Sequence, residues 1–280
     1  MEIAGFLLRE SRTGLAGLII ILSFIAMALL APLIAPYDPM KADLSHARET
    51  PSCRHPLGTD ELGRDLLSRI IYGARTTFLI AVTSTMIAFA IGTVLGVFAG
   101  YFRGLIDTVI DGVTQILLAL PGIIIAIIFV ALWGASLTNL IIAIALGFIP
   151  VYIKLMRAAS MQVASMEYIL AAKMLGLSHA KIIVRHVIPN ILPIGLAQLS
   201  ADVGFAILTD SGLGFLGLGL DPSIPEWGAM IGSAKNYVFV APHIIITVGG
   251  VIALSTIGFS LLGNALRDYI DPRGTGSRSW

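Results

Sequence analysis

GVTQILLALPGIIIAIIFVALWGASLTNLIIAIALGFIPVYI, residues 112–153, runs for 42 residues without a charge. A helix needs only about 20 apolar residues to cross the hydrocarbon core of a bilayer. The window therefore holds two crossings, and WGASLTN at 133–139 is the turn between them. A membrane β-barrel would show apolar and polar residues in alternation over about 10 residues. No such alternation occurs here, so helices are the elements that satisfy the backbone in lipid.

Further charge-free windows lie on either side, at 13–37, 76–102, 186–201 and 236–266, and an apolar stretch at 203–220 is broken only by Asp210. They predict an all-α integral membrane protein with six transmembrane helices, near 14–36, 76–100, 113–132, 137–156, 190–212 and 243–265. The composition agrees: 56% of residues are hydrophobic and 12% charged, against about 25% charged in a soluble domain. The first apolar run follows Arg9 and Arg12 as a signal peptide would, but it exceeds the 7–15 residues of a typical signal core. It is read as an uncleaved span. The predicted organisation is an N-terminal span with an external polar segment (1–75), then a five-helix core (76–280) with a polar loop at 159–188. Residues 213–242 form a loop rich in Gly and Pro. With six spans both termini share one side, and that side carries eleven Lys and Arg against seven on the other. Six of the seven lie in 37–75, balanced by six acids. The excess predicts cytoplasmic termini and a cytoplasmic 159–188 loop.

Catalytic chemistry finds little support. There is no G-x-x-x-x-G-K-[ST] phosphate loop. GLGFLG at 212–217 matches G-x-G-x-x-G but ends an apolar span, with no strand before it. Close helix packing or an unwound helix end is the expected use. The net charge of +1 argues for no nucleic-acid partner. Cys53 is the sole cysteine, so no intramolecular disulfide exists. It lies two residues from His55 but lacks the further ligands of a metal site. No cofactor or metal is predicted, and the chain is not read as an enzyme.

Asp202 and Asp210 fall within the fifth span. Carboxylates in lipid are costly and normally face a cavity or a partner. Eight residues apart, they project roughly along one side. They are candidates for lining a translocation path, with a hydrogen-bonded place inside the bundle as the alternative. Asp107 and Asp111 flank the third span, where an N-terminal helix turn favours acids. Pro121, Pro150, Pro189 and Pro193 are expected to kink or end helices. Gly92, Gly96 and Gly100 form a ladder that admits a close neighbouring helix, in this chain or a second subunit.

The polar exception is EYILAAKMLGLSHAKIIVRHVIPN, residues 167–190. Its first half is rich in helix formers and stops at Gly176; Ser178 can cap a second helix reaching about Val187. Met166, Ile169 and Leu170 share one face by spacing. Two short helices meeting at a glycine elbow suit either a membrane surface or a docking protein.

This stretch resembles the cytoplasmic loop of ABC importer permeases, with its E-A-A, three residues, G, nine residues, I-x-L-P pattern. Ala171, Ala172, Gly176 and Pro189 match at those spacings. Leu170 stands where the pattern has Glu, and Glu167 stands three residues earlier, as in the peptide and nickel branch. HPLGTDELGRDLLSRIIYGART at 55–76, GFLGLG at 214–219, PEWGAMI at 225–231 and LLGNALRDYIDPR at 261–273 are similar to other signatures of that branch. Asp111, Gly112 and Gln115 depart from it. The likeness, which spans essentially the whole chain, is to the second permease subunit of dipeptide, oligopeptide and nickel importers.

The resemblance implies a type I importer permease fold in the inner membrane. It implies a pore shared with a sister permease, two cytoplasmic ATPase subunits and an external solute-binding protein that docks chiefly on 213–242. Glu167, Ala171, Ala172, Gly176 and Pro189 would couple the chain to the ATPases. Import of di- or oligopeptides is the expected function, with nickel as the alternative within this class. A stand-alone secondary transporter is the rival from another class. It would often show two related halves, and no internal repeat is evident. A membrane-anchored scaffold would not need the polar groups of the fifth span.

Overall fold

The computed structural model describes residues 11–270. Regular structure among them is helical apart from one isolated bridge, Thr59 to Asp65. The elements are α1 (Arg12–Leu29), α2 (Ala31–Ile34), α3 (Leu66–Phe102), α4 (Gly104–Leu118), α5 (Gly122–Trp133), α6 (Leu137–Ala164), α7 (Glu167–Met174), α8 (His179–Ile182), α9 (Ile188–Phe215), α10 (Trp227–Ala234) and α11 (Pro242–Ile270). Five spans are single helices: α1, α3, α6, the continuous run from His179 to Phe215, and α11. α4 and α5, which meet at an angle of 83°, are together long and apolar enough for a sixth, broken span or a re-entrant loop. Pro121 causes the break: it lacks a donor and adopts φ −53°, ψ 133° immediately before α5.

The expected turn at 133–139 is present. Gly134 takes φ +83°, Ser136 caps α6 by accepting from the Asn139 amide, and the Asn139 side chain donates to the carbonyls of Trp133 and Gly134. Other boundaries differ from expectation. α3 starts at Leu66 because Asp65 caps it, accepting from the Ser68 amide at 2.8 Å. Residues 75 and 76 lie inside this helix. Pro150 and Pro193 are held within α6 and α9 without ending them.

Pro189 does not stop its helix either. Residues Ile183–Val187 form a π-turn, in which the Ile188 amide reaches back five residues to the Ile183 carbonyl. The wider turn makes room for a proline ring that would crowd the carbonyl of Arg185 in a regular α-helix. Helix therefore runs unbroken for 37 residues from His179 to Phe215.

The glycine ladder meets its partner within the chain. A Cβ on Gly96 would stand 2.7 Å from the carbonyl oxygen of Ile153, and Gly92 and Gly100 abut Tyr152 and Arg157 of the same helix. α3 and α6 thus pack backbone to backbone along three turns. α1 crosses α11 in a like manner at Gly17 and Gly258. GLGFLG is also a packing device: Gly214 lies directly against the backbone of Gly228 and Gly232 in α10. Gly217 ends the motif in the left-handed region, at φ +83°.

The polar segment before α3 is tied to the loop before α10. Arg64 pairs with Asp60 at 2.6 Å and donates to the Pro222 carbonyl at 3.0 Å. Arg69 donates to the same carbonyl at 2.8 Å. Burial, followed by the charge of Asp60, raises the Glu61 carboxyl above its ordinary range. His55 is buried against Asp65, Nδ1 to Oδ1 2.9 Å, whereas Cys53 is exposed. Arg9 and residues 271–273 of the last signature lie outside the described residues.

Candidate functional site

α7 and α8 form a hairpin on the end of the bundle where α3 finishes. Its elbow is built by Gly176, which takes φ +79°. The Gly176 amide donates to Lys173 O at 3.0 Å and the Leu177 amide to Ala172 O at 3.2 Å. This paired closure needs a left-handed residue after the helix, and glycine adopts it without a Cβ penalty. Ser178 then caps α8.

The hairpin has two faces. Ile169 and Ala172 are buried with Val97 and Tyr101 of α3 and with Ile182, Ile183 and Val187. Met166 and Leu170, expected beside Ile169, remain open: Met166 is the extended residue before α7, outside the helical spacing, and Leu170 lies one residue, about 100°, around the helix from Ile169. The opposite face carries Glu167, Leu170, Ala171, Met174, Leu175 and Gly176, all exposed. Leu170, Met174 and Leu175 show 50%, 89% and 80% of their surface. Glu167, Ala171 and Gly176 are therefore together on the free face, Ala172 is turned inward, and Pro189 lies apart in the first turn of α9. Glu167 opens α7, where a negative charge suits the helix N-terminus.

Asp202 and Asp210 occupy separate surroundings. Asp202 accepts from Gln198 Nε2 at 2.9 Å, and Gln198 Oε1 accepts from Arg267 at 2.5 Å. Gln198 and Arg267 border a cavity of about 640 Å³ between α6, α9 and α11. Asp210 is fully buried, and neither of its carboxylate oxygens meets a donor. It stands against the carboxyl of Glu226. Glu226 caps α10 by accepting from the amides of Gly228 and Ala229 (2.7 Å to the latter) and from Thr77 at 3.1 Å. Two buried acids side by side repel unless one is neutral. Asp210→Asn removes one acid and adds a donor toward Glu226, so it is expected to keep or raise the melting temperature. Glu226→Leu, which leaves two buried amides and Thr77 unserved, is expected to lower stability by about 2–3 kcal/mol. Thermal melts of the purified variants in detergent compare the two.

Several contacts join residues too distant in sequence for spacing to pair them. Asp107 lies in the first turn of α4, as expected, but with Asp111 it also holds Arg157 of α6; Arg157 Nη2 is 2.9 Å from Asp107 and Nη1 is 3.4 Å from Asp111. Trp227 is buried and donates to the Ile70 carbonyl at 3.0 Å.

The chain is similar over most of its length to proteins of known type. A family model described as binding-protein-dependent transport system inner membrane component matches residues 92–275. A second, described as the N-terminal TM domain of oligopeptide transport permease C, matches residues 5–51. The dipeptide transport system permease protein DppC of Alkalihalophilus pseudofirmus is 38% identical, over 95% of this chain and 88% of its own length. The glutathione transport system permease protein GsiD of Pectobacterium atrosepticum is also 38% identical, with the same shares covered. The di/tripeptide transport system permease protein DppC of Pseudomonas aeruginosa is 38% identical, over 94% of this chain and 89% of its own. Among solved structures, the inward-facing MetNI methionine ABC transporter superposes with a TM-score of 0.60 at 16% identity, covering 73% of this chain and 97% of that one. That likeness shows a shared fold, the type I permease fold. The protein belongs to the binding-protein-dependent transport system inner membrane components, the multi-pass permease subunits of ABC importers.

Proposed function

We propose that this permease imports di- or oligopeptides. It would share the pore with a sister permease, take its energy from two ATPase subunits and receive substrate from an external binding protein. The hairpin carries the reading. It is an apolar, unpartnered face on a rigid base, built from the residues that the resemblance assigns to ATPase docking. Glu167, Ala171 and Gly176 would touch the ATPase cleft, Ala172 would seat α7 on the bundle, and Pro189 would shape the base of α9. The hairpin and both termini would then lie in the cytoplasm, and the loop before α10 would receive the binding protein. The peptide class follows from the relatives, whose names specify dipeptides, di/tripeptides and glutathione. Asp202 supports a path role best, through its bond to Gln198 at the cavity wall. Asp210, buried against Glu226, does not border that cavity.

The assembled importer, reconstituted in liposomes with its binding protein, is the test. Labelled dipeptide should enter only when ATP and the binding protein are both present. Uptake of Ni²⁺ but not of peptide would transfer the protein to the nickel alternative. Transport by this chain alone on an ion gradient would overturn the importer reading.

A further inference from the structure

Tyr101 is the penultimate residue of α3, and its side chain touches both arms of the hairpin. Its hydroxyl lies 2.9 Å from Nδ1 of His179, the first residue of α8. Lys173, in the last turn of α7, places its ammonium 4.9 Å from the ring centroid. Phe102 adds a ring contact with His179 at 5.7 Å. The Tyr101 ring is buried among Val97, Ile169, Ala172 and Ile182. A single side chain therefore closes the angle between α7, α8 and α3.

The far end of α3 is just as firmly held. Arg69 donates to the Pro222 carbonyl, the Ile70 carbonyl accepts from Trp227, and Thr77 bonds Glu226. These contacts fix the loop before α10 and the start of α10 itself. Between the two ends α3 is one helix of 37 residues, about 55 Å at 1.5 Å per residue. Toward its hairpin end it is clamped to α6 through Gly92 and Gly96.

We propose that Tyr101 is the positioning residue through which movement of the hairpin reaches α3, and through α3 the loop before α10. The proposal rests on the coupling role of the hairpin. Two features support transmission rather than packing alone. The hydroxyl bond is directional, and it joins α3 to the one hairpin arm that continues into α9. A displaced hairpin therefore moves α9 by chain continuity and α3 by this bond, so that both helices turn together.

The test uses the complete importer and reads peptide taken up per ATP hydrolysed. Tyr101→Phe keeps the ring and the Lys173 contact and removes only the hydroxyl. It should lower that ratio about threefold to tenfold, the worth of one hydrogen bond, with the ATPases still bound. His179→Ala should do the same, and the double variant should be no worse than either single one. His179→Asn, which keeps a polar atom near the Nδ1 position, should recover most of the ratio. A wild-type ratio in Tyr101→Phe, or additive losses in the double variant, overturns the proposal. So does loss of the ATPases from Tyr101→Phe, which would make Tyr101 a docking residue. Gly176→Phe is measured alongside. If it uncouples while Tyr101→Phe does not, the joint alone fails; if Gly176→Phe is itself normal, the hairpin reading fails.

Discussion

Gly176→Phe will reduce substrate-stimulated ATP hydrolysis of the assembled importer at least tenfold, while the chain still folds and inserts. Two separable effects act at this position. The first is local: Gly176 sits at φ +79°, and any side chain there costs about 1–2 kcal/mol. The second depends on what docks. Among the described residues nothing lies within 4 Å of a Cβ at this site, so a side chain there starts into open space and its bulk meets whatever docks on this face. Gly176→Ala pays the first cost without adding bulk. It is expected to lower the melting temperature about as much as Gly176→Phe and to retain most of the stimulation. Equal stimulation in both variants would show that no partner closes over the elbow. Assays of basal and stimulated hydrolysis, with a melt of each variant, separate the two effects.

Gly96→Ile will destabilise the permease by about 3 kcal/mol or more, enough to prevent its accumulation in the membrane. A Cβ there would stand 2.7 Å from the Ile153 carbonyl and 2.9 Å from the Arg157 amide. Backbone cannot step aside as a flexible side chain can, so α3 and α6 would have to separate. Separation would also loosen the Arg157 pairing with Asp107 and Asp111. Gly250→Ala is the matched control, because a Cβ at Gly250 meets nothing within 4 Å among the described residues. Alanine there should leave stability unchanged or raise it slightly. Expression level and melting temperature of the two variants report the contrast. A normal melt for Gly96→Ile would mean that the close α3–α6 contact does not hold in the membrane.

That residues 112–153 hold more than one helix was legible because length alone forced it, but the 83° bend at Pro121 within the expected third span was not. The hairpin was legible because Gly176 and Ser178 are strong local stop and start signals. Local signals failed where tertiary context decides. Asp65 capped α3 ten residues ahead of the apolar run, and the sequence offered no reason to prefer that cap over other acids nearby. Pro189 looked like a terminator because proline is costly in a helix interior, and the π-turn that accommodates it leaves no sequence mark. The partner of Gly92, Gly96 and Gly100 was equally hidden, since a ladder of small residues states that a helix comes close and not which one. Of the acids in the fifth span, burial was predictable but surroundings were not. The Glu226 that faces Asp210 lies 16 residues further on, beyond a turn whose geometry had to be seen. Tyr101 and His179, 78 residues apart, carry no pattern that joins them.

The π-turn at Ile183–Val187 also fixes a bearing. Removing one residue's worth of winding from a helix swings everything before it by about 100° around the axis. Were this wide turn to tighten into ordinary α-helix, the hairpin would swivel to another compass point on the end of α9. Leu170, Met174 and Leu175 would then face a different neighbour. The ring of Pro189 would crowd the Arg185 carbonyl in that tighter turn, so the wide turn sets the bearing of the hairpin relative to α9.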